Sequence, residues 1–144
     1  EDLAGSLSDH VLQLGFVDQD LVLVLPERLL FAPGSAELHP AAYGALSQIA
    51  GALAGSVAQV EITGHADTSP VAAGGRWPDN WALSSERALV TARYLARHGV
   101  DPRNVAATAR IEAGDGPEAR AVTIRLRMPG AGTAAEVGAK LRPG

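Results

Sequence analysis

The chain has 144 residues, enough for one domain with one substantial core, and its net charge of −4 argues against a polyanionic partner such as nucleic acid. It contains no cysteine, which excludes a disulfide framework and thiolate chemistry. No apolar run approaches the roughly 18 residues that a membrane span requires, so we expect a soluble piece with any anchor or export signal outside it.

The amino-terminal part of the chain predicts a helix followed by a buried strand. Apolar side chains recur at helical spacing and indicate a short amphipathic helix that stops at Gly15. These side chains are Leu3, Leu7, Val11 and Leu14. The run LVLVL at residues 21–25, closed by Pro26, is typical of a buried strand.

A turn and a second helix come next. The segment FAPGSAELHP, residues 31–40, has Pro-Gly turn chemistry and places Pro40 at the first position of a helix. This helix should end near Gly55. Its predicted buried face consists of Tyr43, Leu46, Ile49, Ala50 and Leu53.

The second predicted strand, AQVEIT at residues 58–63, runs directly into the motif GHADTSP. The loop that follows has about 15 residues, more than most connections in compact domains, and is therefore expected to carry function. A long helix is then predicted from Asn80 to His98, where Gly99 stops it.

The remaining residues predict two strands and a tail. NVAATARI at residues 104–111 and RAVTIRLR at residues 120–127 can pair as a hairpin, and residues 129–144 are predicted to be disordered. The element order predicts an α+β fold, a two-layer sandwich with helices packed on one face of a mixed four-stranded sheet. We expect residues 1–20 to be a preceding linker and helix, and residues 21–128 to form the domain.

The long helix carries a charged residue on its apolar face. On a helical wheel, Arg87 lies near the middle of a wide apolar arc, and Asn80 and Ser84 lie on the same stripe. The arc comprises Trp81, Leu83, Ala88, Val90, Tyr94 and Leu95. Because burial of an unpaired guanidinium is costly, Arg87 must have a partner.

Two kinds of partner fit an inward arginine. One is a structural ion pair with Asp67 or Glu61. The other is a ligand anion, held in a cleft where a strand end, a long loop and a helix start meet. Asp67 follows the strand and is the best candidate to face Arg87. Such a pair suits a ligand that carries both an ammonium and a carboxylate.

Catalytic and metal sites have weaker support in the same stretch. His65 and Asp67 have the H-x-D spacing of metal ligands, but the other three histidines add no ligand spacing, so we expect a hydrogen-bonded structural histidine and no metal. Ser84 and Ser85 have neither a nucleophile elbow nor a neighbouring base motif. We therefore expect no enzymatic activity and no cofactor.

Three segments carry a family resemblance. GHADTSP and DNWALSSERA resemble the G-H-T-D and N-x-x-L-S-x-x-R-A signature of OmpA-like peptidoglycan-binding domains, and FAPGSAELHP resembles their F-x-x-G-S-A-x-L segment. The resemblance covers about residues 21–124. Position 66 is Ala where the family usually has Thr. Within the family, the long loop with PDNWALS is most similar to flagellar stator subunits of the MotB type.

The resemblance implies a ligand and the residues that bind it. Members of the family bind the meso-diaminopimelate of the peptidoglycan stem peptide, whose free end carries an ammonium and a carboxylate on one carbon. By resemblance, Asp67 contacts this head group and Arg87 clamps its carboxylate. Asn80 and Leu83 correspond to positions that shape the loop and the helix start. The other positions of the implied site are His65, Thr68 and Ser84.

The function that the resemblance implies is a non-catalytic periplasmic anchor, which holds a motor stator of the bacterial inner membrane to the cell wall. The implied partners are peptidoglycan, a second copy of the chain, and a MotA-like channel subunit reached through a transmembrane segment outside this sequence. A Pal- or OmpA-type tether between the outer membrane and the wall is the alternative. A third hypothesis is a wall-degrading or metal-dependent enzyme that uses His65 and Asp67.

Overall fold

The computed structural model of the chain describes residues 13–18, 20–66, 77–111 and 121–127. The strands and helices of this part, in chain order, are β1 (Gln13–Val17), β2 (Asp20–Pro26), α1 (Glu27–Leu30), α2 (Tyr43–Leu53), β3 (Gln59–Ala66), α3 (Asn80–Arg97), β4 (Val105–Ile111) and β5 (Ala121–Arg127). Short 3-10 turns at Pro40–Ala42 and Pro102–Asn104 lead into α2 and β4.

The described strands form one mixed sheet in the order β1-β2-β5-β3-β4. Only β3 and β4 pair in parallel, while the other neighbouring strands are antiparallel. The predicted α+β class is confirmed, and all four predicted strands are present. Strand β1 joins them as a fifth strand at one edge, where it pairs with β2.

Strand β1 lies in the stretch where the sequence predicted a helix. Leu14 and Gly15 were expected to end that helix, but they pair with Leu23 and Val22 of β2, so this part of the prediction is wrong. The cause is tertiary: pairing along the open edge of β2 satisfies backbone groups that a short helix would satisfy internally. The rest of the predicted helix and the tail at residues 129–144 lie outside the described residues.

The predicted hairpin of β4 and β5 is also wrong. Strand β5 lies in the centre of the sheet between β2 and β3, and β4 lies at the edge beside β3. The side chains explain the order. Strand β5 presents Val122, Ile124 and Leu126 to the core, whereas the alanine-rich β4 is largely exposed and has little apolar surface to bury.

The core lies between helices α2 and α3 on one side and one face of the sheet on the other. The central strands contribute every second side chain to this face. Its largest fully buried members include Leu21, Leu23, Leu25, Leu46, Ile49, Leu53, Ile62, Leu95, Ile124 and Leu126. Two predicted members of the buried faces are solvent-exposed instead: Tyr43 is 44% exposed and Trp81 is 55% exposed. Each lies in the first turn of its helix, ahead of the residues that pack on the sheet. In the described part of the chain, none of the helices combines the length and apolar character that a membrane span requires.

Candidate functional site

Two strands end side by side at one edge of the sheet. Strands β2 and β3 run parallel to each other, because each is antiparallel to β5, which lies between them. Pro26 of β2 pairs with Ala121, and Gly64 of β3 pairs with Val122, the next residue of β5. The residues that follow β2 and β3 along the chain therefore start from neighbouring points of the same edge.

Gly64 brings helix α3 into direct contact with this edge. A Cβ atom on Gly64 would lie 2.2 Å from the carbonyl oxygen of Ser84, closer than real Cβ contacts. Only glycine allows this approach of strand backbone to helix backbone. The start of α3, with its buried Leu83 and Ser84, is therefore held against the end of β3.

Arg87 lies one turn further along α3 and is buried, with 5% of its surface exposed. Its inward orientation, predicted from the helical wheel, is confirmed. The guanidinium forms an ion pair with the carboxylate of Glu27, the first residue of α1. Its Nε atom donates to the carbonyl oxygen of Ser35 at 2.7 Å, and Nη2 donates to that of Ala32 at 3.2 Å. The ring of Phe31 lies beneath it, 5.1 Å from the guanidinium carbon.

The segment from Phe31 to Ser35 surrounds the guanidinium, and we call it the arginine loop. Its turn is closed by the Ser35 amide, which donates to the Ala32 carbonyl at 3.0 Å, and Gly34 adopts a φ of +70° that favours glycine. The indole Nε1 of Trp77 donates to the carbonyl oxygen of Gly34 at 2.8 Å. The PG turn predicted from the sequence therefore positions two backbone acceptors on Arg87.

The predicted stripe on α3 is present, but the predicted site is described only in part. Asn80 is half-buried, and Leu83 and Ser84 are buried on the same side of the helix as Arg87. Asp67 and Thr68 lie outside the described residues. The binding roles of these residues remain predictions.

His65 lies on the other face of the sheet. Because Gly64 faces α3, strand alternation directs the next side chain away from it. The His65 ring nitrogen Nε2 lies 3.0 Å from the Thr123 hydroxyl of β5, and the residue is 8% exposed. This is the hydrogen-bonded environment that we expected of a structural histidine. Within the described residues, no group of three or more His, Asp or Glu side chains is arranged to bind a metal.

The partner of Arg87 was missed in the sequence. Glu61 was named as a possible partner, but its neighbours Val60 and Ile62 face the core, so Glu61 lies on the exposed outer face and that pairing is wrong. The observed partner, Glu27, follows a buried strand directly, just as Asp67 follows β3. The signal that could have placed Glu27 near Arg87 is the helix between these two strands, because a strand-helix-strand connection favours a parallel arrangement whose strands end at the same edge of the sheet.

A separate groove of about 750 Å³ lies between residues 36–43 and the second half of α3. Its wall includes a stack in which the ring of Tyr94 contacts Tyr43 on one side and His98 on the other, with centroids 5.5 and 4.0 Å apart. Arg93 and Arg97 also line it. Among the described residues that line this groove, none belongs to the predicted site.

Comparison with protein families gives a match over most of the described domain. The model described as the OmpA family matches residues 30–123. This range includes the arginine loop, the end of β3 and the whole of α3. Glu27 lies outside it.

Among curated proteins, Motility protein B of Escherichia coli strain K12 is 36% identical over 78 residues. The match covers 54% of this chain but only 25% of that protein, so the chain spans about a quarter of its relative's length.

Two of the solved structures with similar folds illustrate the likeness. The cell wall anchor of the T6SS from Pseudomonas aeruginosa matches with a TM-score of 0.74 and 28% identity, covering 88% of this chain and 96% of that one. A MotB-like protein from Desulfovibrio vulgaris matches with a TM-score of 0.72 and 25% identity, covering 85% and 82%.

Proposed function

The chain belongs to the OmpA family, whose model matches well over half of it, and we propose that it is a non-catalytic domain that binds peptidoglycan and anchors a larger assembly to the bacterial cell wall. The observation that carries the proposal is the inward Arg87, buried on a helix that Gly64 holds against the end of β3. The solved structure of a cell wall anchor with the same fold and 28% identity supports it.

The ligand we propose is the diaminopimelate of the stem peptide. Its free end carries an ammonium and a carboxylate on one carbon. The site therefore needs a hydrogen-bond acceptor for the ammonium and, beside it, a donor that presents two parallel N–H groups to the carboxylate. Arg87 supplies the donor, since a guanidinium matches a carboxylate with two parallel hydrogen bonds. Asp67, which follows Ala66 at the end of β3, supplies the acceptor for the ammonium.

The other predicted residues have supporting roles in this proposal. Leu83, Ser84 and Asn80 form the wall of the site on α3, and Thr68 belongs to the loop beside Asp67. His65 acts from the opposite face, where its contact with Thr123 fixes the end of β3. We therefore propose no direct contact between His65 and the ligand.

We propose that the assembly is a motor stator of the MotB type, because Motility protein B of Escherichia coli is 36% identical over the matched region. The chain would then be the periplasmic part of an inner-membrane protein, would form homodimers and would act together with a MotA-like channel subunit. The similarity to the wall anchor of another bacterial machine favours, as a second candidate, a tether unrelated to motility. An acidic transmembrane helix ahead of Glu1 in the intact protein would support the stator, and a lipid-modified cysteine there would support the tether.

Sedimentation with purified peptidoglycan tests the binding function. The wild-type chain should sediment with the wall, and Arg87→Lys should reduce its affinity about tenfold or more, because lysine keeps the charge but loses the fork. Asp67→Asn should reduce it similarly, since the amide loses the charge that attracts the ammonium.

The matched control is Arg93→Lys, the same change on the exposed side of the same helix, where the Arg93 side chain is 51% exposed. This variant should sediment like the wild type. Circular dichroism should give the same helix content for all variants. If both Arg87→Lys and Asp67→Asn sediment to the same extent as the wild type, the proposed site is wrong. If the wild type does not sediment with peptidoglycan, the proposed function is wrong.

A further inference from the structure

The guanidinium of Arg87 is already engaged on both of its sides. It presents five N–H donors in a plane, and an incoming carboxylate needs two parallel ones, from either Nε and Nη2 or from Nη1 and Nη2. The first pair donates to the backbone carbonyls of Ser35 and Ala32. Nη1 donates to the carboxylate of Glu27. In either pair, a nitrogen that a ligand carboxylate needs already donates to an acceptor of the protein, so the ligand competes with that acceptor.

The two carbonyls belong to a braced segment of backbone, whereas the carboxylate is carried by a side chain. The arginine loop is held by the bond from the Ser35 amide to Ala32, by the bond from Trp77 to Gly34, and by a bridge between Phe31 and Leu38. Glu27 reaches Arg87 by a rotatable side chain that is 18% exposed, three times the 6% of Arg87. Of the three acceptors, Glu27 is the one that can leave Arg87 by side-chain rotation, without a change in the backbone.

We propose that Glu27 is an internal competitor for the ligand carboxylate: it occupies Arg87 in the ligand-free domain and is displaced when the ligand binds. This inference rests on the proposed function, because it concerns the same anion site. Glu27 stabilises the ligand-free fold, since an unpaired buried guanidinium is costly. It also lowers the apparent ligand affinity, because only the molecules in which Glu27 has left Arg87 can bind the ligand.

The experiment compares Glu27→Gln with Glu86→Gln. Both remove one negative charge, but Glu86 lies on the exposed side of α3, where it makes only a 3.7 Å contact with Arg93. The ligand is a purified stem peptide that contains meso-diaminopimelate, and its affinity is measured by isothermal titration calorimetry. Thermal unfolding with and without the peptide is the second measurement.

Glu27→Gln should bind the peptide about tenfold more tightly than the wild type, because the neutral amide gives up a charge-assisted bond more readily than the carboxylate. Glu86→Gln should bind like the wild type. Without peptide, Glu27→Gln should have a lower Tm than the wild type, and saturating peptide should raise its Tm by more than it raises that of the wild type.

The possible failures separate the two proposals. Equal or weaker binding by Glu27→Gln, with measurable binding by the wild type, would overturn the competitor and assign Glu27 to positioning Arg87, while the binding function would stand. Binding by Glu27→Gln alone would support the competitor. Absence of binding by both proteins would overturn the binding function and the competitor with it.

Discussion

Substitution of Gly64 by alanine is the most informative test of how the site is built. In the native structure, the added Cβ would lie 2.2 Å from the carbonyl oxygen of Ser84 and 3.0 Å from its carbonyl carbon. Real Cβ atoms essentially never approach other atoms within 3.0 Å, so strand β3 and helix α3 must separate by about 1 Å. The obstacle is backbone on both sides, and no side-chain rotation relieves it.

The size of the effect follows from two opposing contributions. Overpacking of a well-packed interior costs about 1–3 kcal/mol, and a backbone obstacle belongs at the upper end. The loss of glycine's freedom in the unfolded chain returns about 0.4–1 kcal/mol. The free energy of unfolding should therefore fall by about 2 kcal/mol, which corresponds to a Tm lower by roughly 5–15 °C for a domain of this size.

Chemical denaturation measures this change directly, and two other glycines provide controls. Gly44 and Gly51 lie in α2, where an added Cβ would have no atom within 4 Å. Alanine at either position should raise the free energy of unfolding by about 0.5–1 kcal/mol, because glycine weakens a helix interior. Gly64→Ala with a wild-type unfolding midpoint would refute the close contact of β3 and α3, and with it the positioning of Arg87.

Two further predictions concern the helix start and the acid stability of the domain. Asp79 caps α3 by accepting a 2.9 Å hydrogen bond from the amide of Ala82. Asp79→Ala should therefore lower the free energy of unfolding by about 1 kcal/mol, whereas Asp79→Asn should change it little. Equal urea midpoints for the two variants would contradict this prediction. Burial alone would raise the pKa of Asp20, but hydrogen bonds and charge from Arg125 and Arg127 outweigh it and lower this pKa below 3.8. The stability that this pairing contributes is present above the unfolded-state pKa and is lost as the pH falls through the lower folded-state pKa. Asp20→Asn should therefore lose less stability than the wild type between about pH 5 and pH 2. Identical acid-unfolding profiles of the two proteins would contradict the assignment.

The fold could be predicted where local pattern and tertiary packing agree. The run LVLVL forms a strand because both faces of β2 are covered, and the apolar stripe of α3 predicted its buried side, including Arg87. The amino-terminal prediction failed because Leu14 and Gly15 gain more from pairing with the edge of β2 than from a short isolated helix. The position of β5 was missed because adjacency in sequence suggested a hairpin, while apolar content decides which strand is central.

The sequence predicted that Arg87 is buried and paired, but it did not predict which carboxylate pairs with it. Helical periodicity directed Arg87 inward, and the cost of an unpaired charge required an acceptor, but neither argument says which carboxylate lies nearby. Glu27 is 60 residues away in the sequence and reaches Arg87 through the arrangement of β2, β5 and β3. Gly64 was also not singled out, because its requirement arises from the approach of another backbone rather than from its own conformation.

The central claim is that Arg87 binds the carboxylate at the free end of diaminopimelate. The most direct test is a titration of the isotope-labelled domain with two stem peptides, one with meso-diaminopimelate and one with lysine, which lacks only that carboxylate. The diaminopimelate peptide should shift the Arg87 Nε–H resonance and should bind at least about tenfold more tightly than the lysine peptide. Equal affinities, or shifts confined to the groove at Tyr43 and Tyr94, would contradict the account.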